Sequence, residues 1–307
     1  MQVSWKSAFV AAAALAFAFP ALAQNALSSP PITITVPDLQ PADFQLWIAK
    51  SNAYVELLNS SLRAIDSLRR YESWVDMKTG PTGKERYISY GLYSVSPELA
   101  KQAIDKARAA ADGPPSIPPL DAAARDYATA FETLVPILND ASAYYERQDY
   151  KDDKMAGGKA FHAKIVPAMN AFLAARGRLE AGQEALSAGL DKQELALLEK
   201  NEGKSERWHV RSLAIAAKAA VNALPKDQTP EELTAFSAAV TTYAAAVRDF
   251  DDFNKTAGKS DQSNPRSFLA GLRELRDKAE KKQANQTDFR NIISQYNAVV
   301  DMVNSYQ

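Results

Sequence analysis

The sequence predicts an all-α protein, an elongated bundle of long helices joined by proline-marked and glycine-marked turns, on three observations. Apolar residues recur at helical spacing through several long stretches, the pattern of helices that each bury one face. Prolines and glycines gather at the boundaries of those stretches, where helices start and stop. Strand-like character is confined to the alternating run at residues 32–36 and the aromatic run at 87–93. No fixed repeat period is visible.

Residues 1–23 decide the expected compartment. Lys6 precedes a short apolar run, and Pro20 is followed by Ala21-Leu22-Ala23, a small-x-small cleavage site. This reads as a secretory signal peptide cut before Gln24, and the apolar run is too short for a confident membrane span. The expected location is therefore the periplasm, with no transmembrane segment in the mature chain. Removing residues 1–23 from 307 leaves 284, enough for a sizeable core. The chain has no cysteine, which excludes disulfides, thiolate metal sites, cysteine nucleophiles and lipid anchoring through an acylated cysteine. With 36 basic and 37 acidic residues the net charge is −1, so no overall field points to nucleic acid.

Residues 24–41 are proline-rich and read as an extended linker, after which a helical domain spans 42–307. Phe44, Trp47, Tyr54, Leu58, Ile65, Leu68 and Val75 form the stripe of one long helix ending near Lys78, with Ser51, Ser61 and Glu72 as imperfections in its seam. Gly80-Pro81-Thr82-Gly83 fits a type I turn, with Gly80 in the left-handed position after the helix. An aromatic patch of Tyr87, Ile88, Tyr90, Leu92 and Tyr93 follows. Ser96-Pro97 opens a short helix to about Ala111, and the proline-rich run 112–119 is a stiff connector.

Residues 121–150 and 155–189 read as a helical hairpin whose tip is crowded with three tyrosines and three aspartates: Tyr144, Tyr145, Asp149, Tyr150, Asp152 and Asp153. Pro136 and Pro167 interrupt the two arms at about the same distance from the tip. Either both arms kink together there, or each proline opens a new helix. Residues 206–224 form a further helix. Thr229-Pro230-Glu231-Glu232 carries a capping box, and the heptad stripe Leu233, Phe236, Val240, Tyr243, Val247, Phe250 reads as core, or as a partner surface if exposed. Asn264-Pro265 opens a last helix running to Val303, its stripe interrupted at Lys282 and Gln286.

Tyr71-Glu72-Ser73-Trp74-Val75-Asp76, Gly80-Pro81-Thr82-Gly83-Lys84-Glu85-Arg86 and Tyr90-Gly91-Leu92-Tyr93, then Tyr145, Asp149-Tyr150-Lys151-Asp152-Asp153-Lys154, Gly158-Lys159, and finally Tyr296-Asn297 with Asn304, resemble the YiiG-like family of bacterial envelope proteins, which carry a domain of unknown function. The resemblance covers the chain from about residue 45 to its end. It implies a secreted helical protein of unassigned activity, often tethered as a lipoprotein; the missing cysteine departs from that last feature. The family brings no catalytic residues to carry over.

The residues themselves offer a few candidates. Gly80-Pro81-Thr82-Gly83-Lys84 has some features of a phosphate loop but lacks its spacing and follows a helix, so a turn is the better reading, with Lys84 and Arg86 free for a weaker anion contact. Asp149, Asp152 and Asp153 supply oxygens suited to a hard cation, yet lack calcium-loop spacing, and a helix cap by Asp152 or Asp153 competes with that reading. With only His162 and His209 present, local zinc motifs and an evident catalytic triad are excluded; His162 is either a hydrogen-bonding residue of the bundle or a ligand. Tyr87, Tyr90, Tyr93, Tyr144, Tyr145 and Tyr150 could form an aromatic cage for a ligand, although tyrosines at helix ends usually pack one face and leave the hydroxyl wet.

These observations favour a non-enzymatic binding or interaction protein. It would meet an envelope protein or small ligand through the turns, using Lys84, Arg86, Tyr90, Tyr145, Asp149, Tyr150, Asp152, Asp153 and His162, with no cofactor. The alternatives are a metal-dependent hydrolase using the Asp149/Asp152/Asp153 cluster, and a structural envelope spacer.

Overall fold

The computed structural model describes residues 32–306; the expected signal peptide and the linker as far as Pro31 lie outside the described residues. Among them are nine α-helices and no strand, and no helix is long and apolar enough to cross a membrane. The helices fall into two compact units, residues 32–190 and 191–306.

The first unit holds α1 (Pro41–Ser60), α2 (Leu62–Glu72), α3 (Pro97–Asp112), α4 (Pro118–Glu146) and most of α5 (Ala156–Glu202). The expected first helix is thus two helices, divided at Ser61, whose hydroxyl turns back to the Leu58 carbonyl. Ser96 caps α3 as expected, accepting from the Leu99 N–H at 3.3 Å. Pro118 and Pro119 belong to the first turn of α4 rather than to the connector, where their missing N–H groups cost nothing. Pro136 and Pro167 lie exposed inside unbroken helices, so neither opens a new one. On the solvent side, water can satisfy the carbonyl that each proline leaves without a donor.

Tyr54, Tyr71, Tyr127, Phe44, Phe131 and Phe172 are fully buried here, each contributing on the order of 1.5–3 kcal/mol by burial. Between them runs a set of buried polar side chains. Lys50 Nζ and the Tyr54 hydroxyl both donate to Asp121 Oδ1, at 2.8 and 2.6 Å, while Asp121 Oδ2 accepts the Ile117 N–H at the mouth of α4. Arg176 Nη1 donates to the Leu58 carbonyl, Ser61 Oγ and the Tyr127 hydroxyl at 2.8–3.0 Å, and its other arm meets Glu180. Gln183 Nε2 reaches Ser51 Oγ. The serines that break the seam of the first helix are therefore the acceptors that α5 needs, since a buried guanidinium or amide must find partners.

Residues 32–36 carry no regular secondary structure, with Ile32, Ile34 and Val36 half-buried and Thr33 and Thr35 exposed. The run lies on α5, where Gly182 and Gly189 leave room: a Cβ at Gly182 would meet Leu120 and Ile32, and one at Gly189 would meet Val36.

The second unit packs α6 (Glu206–Asn222), α7 (Pro230–Thr256), α8 (Ser263–Glu280) and α9 (Gln286–Asn304) around a common core. The Thr229–Glu232 capping box forms at α7. Phe236, Val240, Tyr243, Val247 and Phe250 are buried, so the heptad stripe is core and not a partner surface. The expected last helix is two. Lys282 takes φ +55° and Asn285 with Asp288 forms a second capping box, so the chain reverses where the stripe was interrupted. The last turns of α5 join this unit through Asp191 and Glu194, which pair with Arg211 at 2.7 and 2.6 Å.

Candidate binding surface

Two turns far apart in sequence meet in the first unit. One is the segment 73–95 that follows α2, and the other is the tip between α4 and α5. The backbone of the first is held largely by side chains. Asp76 Oδ1 accepts the Lys78 and Thr79 N–H groups, which holds its carboxyl below the usual range. No backbone hydrogen bond joins the Gly83 N–H to the Gly80 carbonyl. Glu85 closes the loop instead, accepting the Thr82 N–H and hydroxyl and the Gly83 N–H at 2.5–2.9 Å. Burial opposes its charge, but these donors prevail and lower its pKa. The amides that a phosphate loop would offer are thereby already occupied by a carboxylate of the same loop.

Residues 87–93 form no strand: a 3-10 turn, Ile88–Tyr90, occupies the middle of the aromatic patch. Ser67 bridges the Tyr93 N–H and carbonyl, Asn139 bridges those of Val95, Trp74 Nε1 donates to the Gly91 carbonyl at 2.9 Å, and Ser142 donates to that of Leu92. Side chains thus supply the partners that a neighbouring strand would otherwise give.

The two turns are joined by an aromatic base. Trp74 meets Tyr71 and Tyr145 edge-on, with centroids 5.4 and 5.0 Å apart. Such pairs contribute roughly 0.5–1.5 kcal/mol each beyond burial. His162 Nδ1 is 3.1 Å from the Tyr71 hydroxyl. Burial depresses the His162 pKa below its ordinary value. The Tyr145 hydroxyl is buried beside that of Tyr71, and burial drives its pKa up first. Among the described residues the Tyr145 hydroxyl has no hydrogen-bond partner. Gly80, at φ +74°, lies against His162, and a Cβ there would stand 2.8 Å from the ring; a Cβ at Gly91, at φ +52°, would stand 3.0 Å from the Tyr145 Cβ.

Of the tip carboxylates, Asp149 pairs with Arg147 at 2.6 Å, Asp152 is exposed, and Asp153 accepts from the Tyr144 hydroxyl and, at 2.8 Å, from the Gly157 N–H. Asp153 is therefore the cap of α5. Burial works against its charge, but the Gly157 and Tyr144 bonds keep its carboxyl below the usual range. Burial and the Asp153 bond push the Tyr144 pKa up to about 12. The three aspartates do not converge, and among the described residues no group of three histidines, aspartates or glutamates could hold a metal ion. Lys84 and Arg86 are exposed; Arg86 lies over the Tyr87 ring at 5.2 Å. Tyr150 is half-buried against Tyr145.

Tyr90 belongs to a separate feature. With Arg63, Asp66, Arg69, Arg70 and Tyr93 it lines a shallow, open cleft of about 480 Å³. These arginines lie off the apolar stripe of α2. Their signal was the spacing Arg63, Asp66, Arg70 on the opposite helical face.

The family described as "Protein of unknown function (DUF3829)" matches residues 45–306. The chain belongs to this family, in keeping with the resemblance carried by the motifs around Gly80 and Asp152. The chain is also similar to the "Uncharacterized protein YiiG" of Escherichia coli (strain K12), with 26% identity over 275 residues, covering 83% of this chain and 78% of the relative. No solved structure matches.

Proposed function

We propose that the protein is exported to the cell envelope and acts there as a non-enzymatic binding protein, meeting its partner through the surface built from residues 76–93 and the tip at 144–162. One observation carries this reading: two exposed, charge-rich turns share a buried aromatic base, so their rims are fixed relative to one another. Preorganised rims of this kind lower the ordering cost of association. Above the base, Lys84, Arg86, Tyr87, Asp152 and Lys154 stay exposed, the mixture of cations, anions and aromatics that loops on rigid scaffolds present to partners. The small-x-small site at Ala21-Leu22-Ala23 supports export. The metal-dependent hydrolase draws no support from the geometry, because Asp149 and Asp153 are engaged by Arg147 and the α5 amides.

The test is chemical crosslinking in envelope preparations, with native mass spectrometry of protein isolated without chelator or tag. Replacing Lys84, Arg86, Asp149 and Asp152 together by alanine should abolish discrete adducts and leave the melting temperature nearly unchanged. Adducts that persist in this variant would refute the reading.

A further inference from the structure

We propose that the cleft between α2 and residues 87–93 binds a phosphoryl oxyanion; this goes beyond the binding reading above and gives the protein a second site, with its own ligand class. Four of its six lining residues are charged: Arg63, Arg69 and Arg70 against Asp66 alone, a local formal charge of +2 in a chain whose total is −1. The cations are held in place. The Arg70 Nε donates to the Tyr90 carbonyl, and the guanidiniums of Arg70 and Arg63 lie 4.3 and 3.8 Å from the centre of the Tyr93 ring. Asp66 is shared with Arg69 at 3.6 Å, too long for a strong hydrogen bond.

Holding the Tyr93 loop accounts for Arg70, whose bond to the Tyr90 carbonyl pins it. It does not account for Arg63. That side chain is exposed, makes no ion pair among the described residues, and spends only its flat face on Tyr93. Its N–H edge keeps its donors available, since ring contact engages the face of the guanidinium and leaves the fork intact.

Several guanidinium forks around one open cleft suit a tetrahedral group with three or four acceptor oxygens, whereas a single planar carboxylate is filled by one fork. The Tyr90 ring, 47% exposed and stacked on Tyr87 at 5.0 Å, adds an apolar wall on which the carrier of that group can rest. The phosphoryl group could be free phosphate or a lipid headgroup, and both present the same oxygens to the cleft.

The experiment titrates the full chain with inorganic phosphate, with acetate, and with vesicles of phosphatidylglycerol or of phosphatidylcholine, by calorimetry and vesicle flotation. The variants are Arg63→Gln/Arg69→Gln and Arg63→Lys, each checked for an unchanged melting temperature, beside the Lys84/Arg86/Asp149/Asp152 alanine variant. The expected result is saturable binding of phosphate or of phosphatidylglycerol vesicles, weakened at least about tenfold by Arg63→Gln/Arg69→Gln and retained in the alanine variant. Arg63→Lys should show an intermediate loss, because it keeps the charge and removes the fork. Binding of vesicles without free phosphate assigns the group to a lipid, and the reverse assigns it to a soluble ligand. Absence of both, equal binding of acetate, or no loss in Arg63→Gln/Arg69→Gln overturns the inference. If crosslinked adducts still form in that event, only the cleft is refuted and the wider binding reading stands.

Discussion

Asp121 is an acidic residue at 2% exposure that accepts from a lysine, a tyrosine and a backbone amide. Removing one partner of a buried ion pair strands the other charge, at a cost of about 3–5 kcal/mol. Asp121→Ala should lower unfolding stability by that amount in urea titration; a loss below about 1 kcal/mol would mean that water reaches Lys50. His162 predicts a pH dependence. Its folded pKa lies below the ordinary 6.5, so the unfolded chain binds more protons as pH falls through that value. Stability present at neutral and higher pH is then lost through this group as the solution is acidified below about 6.5, across the window down to its folded pKa. Urea midpoints at pH 7.5 and 5.5 should differ less in His162→Asn than in the parent, and an unchanged difference would show that His162 titrates as though exposed.

At the level of elements, the glycines of α5 separate helix propensity from packing. Gly177 has nothing within 4 Å of where its Cβ would lie, whereas Gly189 faces Val36. Gly177→Ala should raise stability by roughly 0.5–1 kcal/mol, the helical preference of alanine. Gly189→Ala should gain less or lose stability, and should expose residues 32–36 to limited proteolysis; equal gains at both sites would refute the contact. Helix type and most helix ends were legible in the sequence, because apolar period and caps such as Ser96 and Thr229 act locally. The divisions at Ser61 and at Lys282 were legible only as flaws in a stripe, since their cause is the pairing of distant groups: Arg176 with Ser61, and the return of α9 onto α8. The candidate surface was half visible. Composition showed two unusual turns, but Trp74, Ser67 and Asn139, which join or hold them, read as ordinary helix residues until the segments meet.

For the whole molecule, two compact units follow from two cores, and Leu190 and Asp191 of a single helix serve different ones. The core of residues 210–303 is built within its own unit, with Asp191 and Glu194 pairing with Arg211 there. A fragment spanning 191–307 should therefore fold alone and melt cooperatively by circular dichroism; a helical but non-cooperative fragment would contradict this division. The joined turns bear on inheritance as well as on binding. Gly80 leaves room for the His162 ring and Gly91 for the Tyr145 Cβ, and both take positive φ, so a larger residue at either is strained by its own backbone as well as by its neighbour. Among relatives, glycine should therefore persist at positions 80 and 91. A lineage that keeps these two glycines keeps the seat of the hairpin tip, and the two segments would then be inherited as one unit.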